Sequence, residues 1–231
     1  MLTNDVKTEK LSPRASKGYK GMNMEGFIAT WYAKITRKDM DEFKALARRL
    51  AGGLSGGSRV LEVAPGPGYL AVELAGLGDF TVAGLDISRT FVEIARKNAV
   101  AAGVAVEFRQ GDAAAMPFED ATFDLVVCRA AFKNFSRPVV ALAEMRRVLK
   151  PGGRALIVDL RRDVPPGSMD RYVDGLGLSK INALITKATF KYMLIKRAYT
   201  RREFEEFAAQ AGFEKCNIVE SLTGLEVWLE K

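Results

Sequence analysis

Apolar residues between positions 24 and 50 recur at helical spacing, as Phe27, Ile28, Trp31, Tyr32 and Ile35, then Phe43, Leu46, Ala47 and Leu50. This spacing predicts two helices, the second ending at Gly52-Gly53. After a glycine-rich linker the period changes. Arg59–Ala64 is a compact apolar run that reads as a buried strand, followed by Pro65-Gly66-Pro67-Gly68 and a helical stretch over Tyr69–Leu77. A second strand, Phe80–Leu85, ends at Asp86, and Ser88 is placed to cap a helix running to Ala102. Further strands are predicted at Val104–Arg109, Phe123–Cys128 and Ala155–Asp159, the last after a helix over 138–149 and a turn at Pro151-Gly152-Gly153. Alternating strands and helices imply a doubly wound α/β sheet, mostly parallel, with helices on both faces. Cys216–Glu220 and Leu225–Leu229 flank Ser221-Leu222-Thr223-Gly224 and read as a C-terminal antiparallel β-hairpin.

Two segments fall outside that alternation. Residues 1–57 read as a polar arm, with Ser12-Pro13 and Gly18 as breakers, and then the two helices; residues 58–231 read as the α/β domain with an insertion at about 161–199. In the insertion, a helix over Ser179–Ala198 puts Ile181, Leu184, Ile185, Ala188, Tyr192 and Ile195 on one face, widened by Phe190, Met193 and Leu194, with Lys180, Lys187 and Lys191 elsewhere.

Charge sharpens this division. The net charge is +7, yet residues 1–49 carry 11 Lys/Arg against 6 Asp/Glu and residues 161–202 carry 10 against 3, so the rest of the chain is acidic. Basic charge in the two non-alternating segments suits an anionic partner, whether a small acid, a phosphate or an anionic membrane surface; a solvated basic face is the alternative. No apolar stretch is long enough to span a membrane and residues 1–5 show no signal core, so a cytoplasmic protein is expected. Two cysteines and no histidine exclude a disulfide framework, a standard zinc site, and every Ser-His or Cys-His arrangement.

The chemistry is carried by an ordered series of loops. Gly66-x-Gly68-x-x-Ala71, with Asp86 twenty residues beyond Gly66, satisfies a dinucleotide-binding fingerprint and keeps an NAD-dependent oxidoreductase open. Five signposts in sequence are similar to the class I S-adenosylmethionine-dependent methyltransferases: Glu62-Val63-Ala64-Pro65-Gly66-Pro67-Gly68, Asp86, Gly111-Asp112-Ala113, Phe123-Asp124-Leu125-Val126-Val127, and Leu149-Lys150-Pro151-Gly152-Gly153. The likeness runs from about Arg59 to Asp159 and implies a Rossmann-like fold that binds S-adenosylmethionine and methylates a small molecule. It further implies cofactor contacts from Glu62, Ala64, Gly66, Gly68, Asp86, Ile87, Asp112, Ala113 and Arg129: Glu62 balancing the methionine ammonium, Asp86 accepting from ribose hydroxyls, and Asp112 accepting from the adenine amino group, with Ile87 and Met116 against the ring. Tyr199-Thr200-Arg201-Arg202-Glu203-Phe204 with Ala211-Gly212-Phe213 partly resembles the late helix of quinone-biosynthesis methyltransferases.

The sequence departs from that family at two places. Ala64 stands where the family has the loop's first glycine, and its methyl fits if the local φ is negative. Lys133-Asn134 stands where many small-molecule members place histidine, so no base role carries over. Tyr19, Tyr32, Lys133 and Asp159 are the candidates for a base, and Trp31, Asn134 and Arg161 the weaker candidates to line the site. A nucleic-acid methyltransferase is disfavoured by the lack of an Asn-Pro-Pro-Tyr-type motif and of clustered aromatics. A non-catalytic cofactor-binding protein stays open, as do peripheral membrane contact and oligomerisation through the insertion.

Overall fold

A computed structural model describes residues 18–21, 24–175, 177 and 179–231. Residues 1–17, most of the expected polar arm, lie outside the described residues. The predicted alternation is present: β1 (Arg59–Val63), α3 (Tyr69–Ala75), β2 (Thr81–Asp86), α4 (Arg89–Ala102), β3 (Val106–Gln110), β4 (Phe123–Arg129), α5 (Pro138–Val148), β5 (Leu149–Leu160), α8 (Arg201–Gln210), β6 (Lys215–Glu220) and β7 (Gly224–Glu230). Ahead of it lie α1 (Gly26–Thr36) and α2 (Met40–Ala51), joined by a 3₁₀ turn.

The seven strands are ordered β3-β2-β1-β4-β5-β7-β6, parallel except for β7, which runs antiparallel to both neighbours. Central β1 is buried along Val60–Val63, as a strand covered on both faces requires. One apolar core, with Leu61, Val126, Met145, Ile157 and Phe204, fills one face; the other, with Leu46, Val60, Leu74, Val82 and Leu156, fills the opposite face. Strand order reverses between β1 and β4, and in open α/β sheets ligands bind beyond the carboxyl ends of the strands at that point.

Most boundaries shift by one or two residues, and two departures from expectation are larger. β5 begins at Leu149 rather than Ala155, because the Pro151-Gly152-Gly153 turn is an excursion within the strand: Phe123 pairs with Leu149 and Leu125 already with Arg154. The insertion is not one helix over Ser179–Ala198. It comprises α6 (Ser168–Gly175), α7 (Lys180–Thr189), a π turn at Phe190–Leu194 and a 3₁₀ turn at Ile195–Arg197. Aromatic and β-branched residues crowd this stretch, and Phe190, where the π turn begins, meets Tyr172 of α6 edge-on at 6.1 Å between ring centroids.

Candidate functional site

The loop after β1 is the tightest piece of backbone at the switch point. Ala64, Gly66 and Gly68 all have positive φ, at 56°, 54° and 76°. The negative φ on which an unstrained fit of the Ala64 methyl depends is therefore not met. The Ala64 N–H donates to the Leu85 carbonyl at 2.8 Å, and holding that bond while turning out of β1 puts the residue in the left-handed region, at a cost glycine avoids. At Gly68 a Cβ would lie 2.7 Å from Phe108 and 2.8 Å from Ala95, so only glycine lets α3 start this close to α4. At Gly66 a Cβ would meet nothing within 4 Å, so the loop presents bare backbone to open space.

Two carboxylates hold this loop. Asp86, at the end of β2, accepts the Gly66 N–H at 2.9 Å and the Ser88 N–H at 2.8 Å. Glu62 accepts the Ala71 N–H at 2.9 Å, lying at the amino end of α3, where the helix dipole favours an anion. Both are nearly fully buried, and burial pushes Glu62 up to about 8 and Asp86 up to about 6 despite their backbone hydrogen bonds. No ion pair compensates either charge among the described residues. Arg129 lowers the Glu62 value only at a distance, since its guanidinium pairs with Glu42 at 2.6 Å and stacks over Phe43 at 4.3 Å.

The other expected cofactor residues are less open. Asp112 accepts from Ala114 N–H and from Arg137, each at 2.9 Å, and its carboxylate faces the Gly18 backbone, where a Cβ would lie 2.7 Å from it. Ile87 is half-buried and its carbonyl accepts from Gln110. Ala113 packs partly buried against the core. Met116 is buried in the apolar cluster that includes Leu85 and Phe135, and its N–H donates to Glu144 at 2.7 Å.

Among the candidates for a base, Lys133 and Asp159 are joined to each other. The Lys133 ammonium lies 2.8 Å from Asp159 and also donates to the Ala130 carbonyl, while the Lys133 and Leu160 N–H groups donate to the same carboxylate. Both are buried, and an ammonium donating to two acceptors has no lone pair with which to take a proton. Burial pushes the Tyr19 phenol up to about 12 and also raises Tyr32, so both are neutral hydroxyls near pH 7 and suited to donating hydrogen bonds. Arg161 is taken up by Asp163 and Glu220, and Trp31 is half exposed.

Sequence reasoning missed a strap across this end of the sheet. Lys20 N–H donates to the Asn134 carbonyl at 2.7 Å and Ser136 N–H to the Gly18 carbonyl at 3.1 Å, anchoring the segment beyond β4. Further along, Ser88 Oγ donates to the Met24 carbonyl, and the Glu25 carboxylate caps α4 by accepting Arg89 and Thr90 N–H at 3.0 Å each. The chain thus passes from β4 to the start of α4, and Tyr19 lies near enough to Asp86 and Tyr32 to feel their charges. An acid just ahead of a predicted helix, Glu25 before Gly26, was the only local signal, and its true partner is a different helix.

A doubly wound sheet, a glycine loop at its switch point, and two buried carboxylates with no ion pair among the described residues define a ligand-binding α/β class of protein. The comparisons agree with that class. The family described as "Methyltransferase domain" matches residues 61–157. A ubiquinone/menaquinone biosynthesis C-methyltransferase of Teredinibacter turnerae is 32% identical over 78% of this chain and 76% of its own length. A demethylmenaquinone methyltransferase of Deinococcus radiodurans is 40% identical over 48% of this chain, which spans only 45% of that relative. A Methanococcus maripaludis structure described as an S-adenosylmethionine-dependent methyltransferase superposes with a TM-score of 0.74 at 22% identity, covering 91% of this chain and 95% of that one. The chain belongs to the class I S-adenosylmethionine-dependent methyltransferases. The fold alone does not fix the reaction, since a [4+2]-cyclase superposes with a TM-score of 0.63 at 21% identity, over 81% of this chain and 80% of its own.

Proposed function

We infer that this protein transfers a methyl group from S-adenosylmethionine to a small, largely apolar acceptor, with residues 58–231 as the catalytic unit and residues 1–57 with the insertion at about 161–199 closing over it. The observation that carries the reading is the pair Glu62 and Asp86, buried at the loop with pKa values raised by desolvation and no ion-pair partner among the described residues. A ligand bearing an ammonium and a diol suits that pair: Glu62 gains a counter-charge, and the free lone pairs of Asp86 accept two hydroxyls. NAD offers no ammonium at Glu62 and would leave it as the neutral acid.

When bound, the cofactor supplies a sulfonium methyl open to in-line attack. The chain's contribution is positioning. Gly66 and its neighbours let backbone approach the ligand, Asp86 fixes it against β2, and the strap and insertion keep water from the reacting atoms. Tyr19 and Tyr32 act as neutral hydrogen-bond donors toward the acceptor. Lys133 and Asp159 brace the turn after β4 and do not exchange protons with the acceptor. The named activities of the quinone-biosynthesis relatives favour a quinone-like ring as acceptor, and no described helix is long and apolar enough to cross a membrane.

Calorimetric titration with S-adenosylhomocysteine, NAD and an Asp86→Ala variant tests the cofactor, followed by turnover with demethylated quinones. Binding of the homocysteine product alone, weakened in the variant, is expected; preferential NAD binding would sink the reading. Binding without turnover on any acceptor would favour a non-methylating role for the fold.

A further inference from the structure

We propose that α7 and the π and 3₁₀ turns after it form a membrane-docking face that lies flat on an anionic lipid surface beside the mouth of the site. The helix leaves its apolar face uncovered: Ile181, Leu184 and Ile185 are 73, 71 and 59% exposed, and no residue of α7 is buried. Spacing at i, i+3 and i+4 makes these three a continuous stripe. Tyr192, 59% exposed, continues the apolar surface into the turns.

Charge selects the partner. On α8 the exposed arginines have carboxylate partners, Arg201–Glu205 and Arg202–Glu206. On the insertion, Lys180, Lys191 and Lys196 are exposed and make no ion pair among the described residues. Lys191 and Lys196 instead stand 5.3 and 5.6 Å from the Tyr192 ring centre, giving an aromatic flanked by two cations. Lys191 also borders a cavity of about 400 Å³ with Arg162, Lys187, Asp170, Pro165 and Ile195, in which three basic groups outnumber one acid. A second copy of the same chain would set these lysines against one another; an anionic lipid surface neutralises them while taking up the apolar stripe.

The face lies where docking serves the reaction. Tyr19 feels the charge of Arg197, and Tyr172 on α6 feels Asp39 and Glu42, so the insertion borders the strap and the α1–α2 junction. An apolar acceptor dissolved in lipid would enter from that side. The inference rests on the methyl-transfer reading only for this benefit; docking itself is independent of it.

The test is flotation of the purified chain with vesicles of phosphatidylcholine alone and of phosphatidylcholine with phosphatidylglycerol, over a range of salt. Binding is expected only to the anionic vesicles, falling at least fivefold at high salt. Lys191→Glu with Lys196→Glu, and separately Leu184→Asp, should abolish it while the thermal melt of the chain stays unchanged, all three side chains being exposed. Equal binding to neutral vesicles, no binding at all, or unaltered binding by the charge-reversed variant would overturn the proposal. So would light scattering that finds a dimer dissociated by Leu184→Asp. Loss of the cofactor titration in the wild type, with vesicle binding intact, would instead count against methyl transfer alone.

Discussion

The Gly66 N–H donates to the Asp86 carboxylate at 2.9 Å, joining the loop after β1 to the end of β2 across twenty residues. The bond fixes the loop before any ligand arrives, and the same carboxylate takes the Ser88 N–H that begins the α4 turn. Asp86 is thus a fastening for backbone and a waiting acceptor at once.

Asp86→Ala should weaken S-adenosylhomocysteine binding by about 10- to 100-fold, from the loss of hydrogen bonds to a charged group of about 1.5–3 kcal/mol. Asp86→Asn should lose less, because its remaining carbonyl oxygen still accepts from Gly66. Calorimetry on both separates the fastening from the ligand contact; equal losses would mean only the charge matters.

Glu62 titrates near 8 because burial disfavours its ionised form. Its folded value lies above its unfolded one, so the stability it contributes is full below about pH 4.5 and is lost as pH rises through 8. The unliganded protein should therefore melt at lower temperature at pH 8 than at pH 5. An ammonium-bearing ligand favours the carboxylate, so affinity for S-adenosylhomocysteine should rise with pH up to about 8 and then level. In Glu62→Gln that slope should flatten, as pH-dependent calorimetry will read.

Ala64 is an L-residue at φ 56°. Ala64→Gly should raise stability by about 0–1 kcal/mol, the relief of left-handed strain less the extra freedom of glycine in the unfolded chain. Urea denaturation measures it, and a loss exceeding about 1 kcal/mol would show that the methyl packs favourably.

Lys133→Met leaves the Asp159 carboxylate buried with only N–H partners and should cost about 3–5 kcal/mol by denaturation. If Lys133 served as a base, the variant would instead fold normally and lose turnover with a changed pH profile.

The alternation of strands and helices was legible because each element carries its own period, and Ser88 was legible as a cap because capping is local: its hydroxyl accepts the Phe91 N–H. What stayed hidden was non-local or conformational. Nothing near Ala64 announces the sign of its φ, which is imposed by the bond to Leu85 on another strand. Lys133 and Asp159 sit 26 residues apart and looked like two independent candidates. Glu25 reads as an ordinary acid until α4 folds against it. Gly66, Gly68 and Asp86 were legible from their spacing and Glu62 through family likeness, whereas the burial and raised pKa values of Glu62 and Asp86 required the fold.

β7 fills the gap between β5 and β6, pairing with β5 from Arg154↔Glu230 to Leu160↔Gly224 and with β6 on its other side. On a ribosome this strand emerges after both its neighbours. A nascent chain therefore carries β5 with a bare, apolar edge and β6 with no partner until residue 230 has been translated. Such an edge is a place for a holding chaperone to bind. A ribosome stalled anywhere between β6 and β7 would leave a nearly whole cofactor loop on a sheet that cannot yet seal.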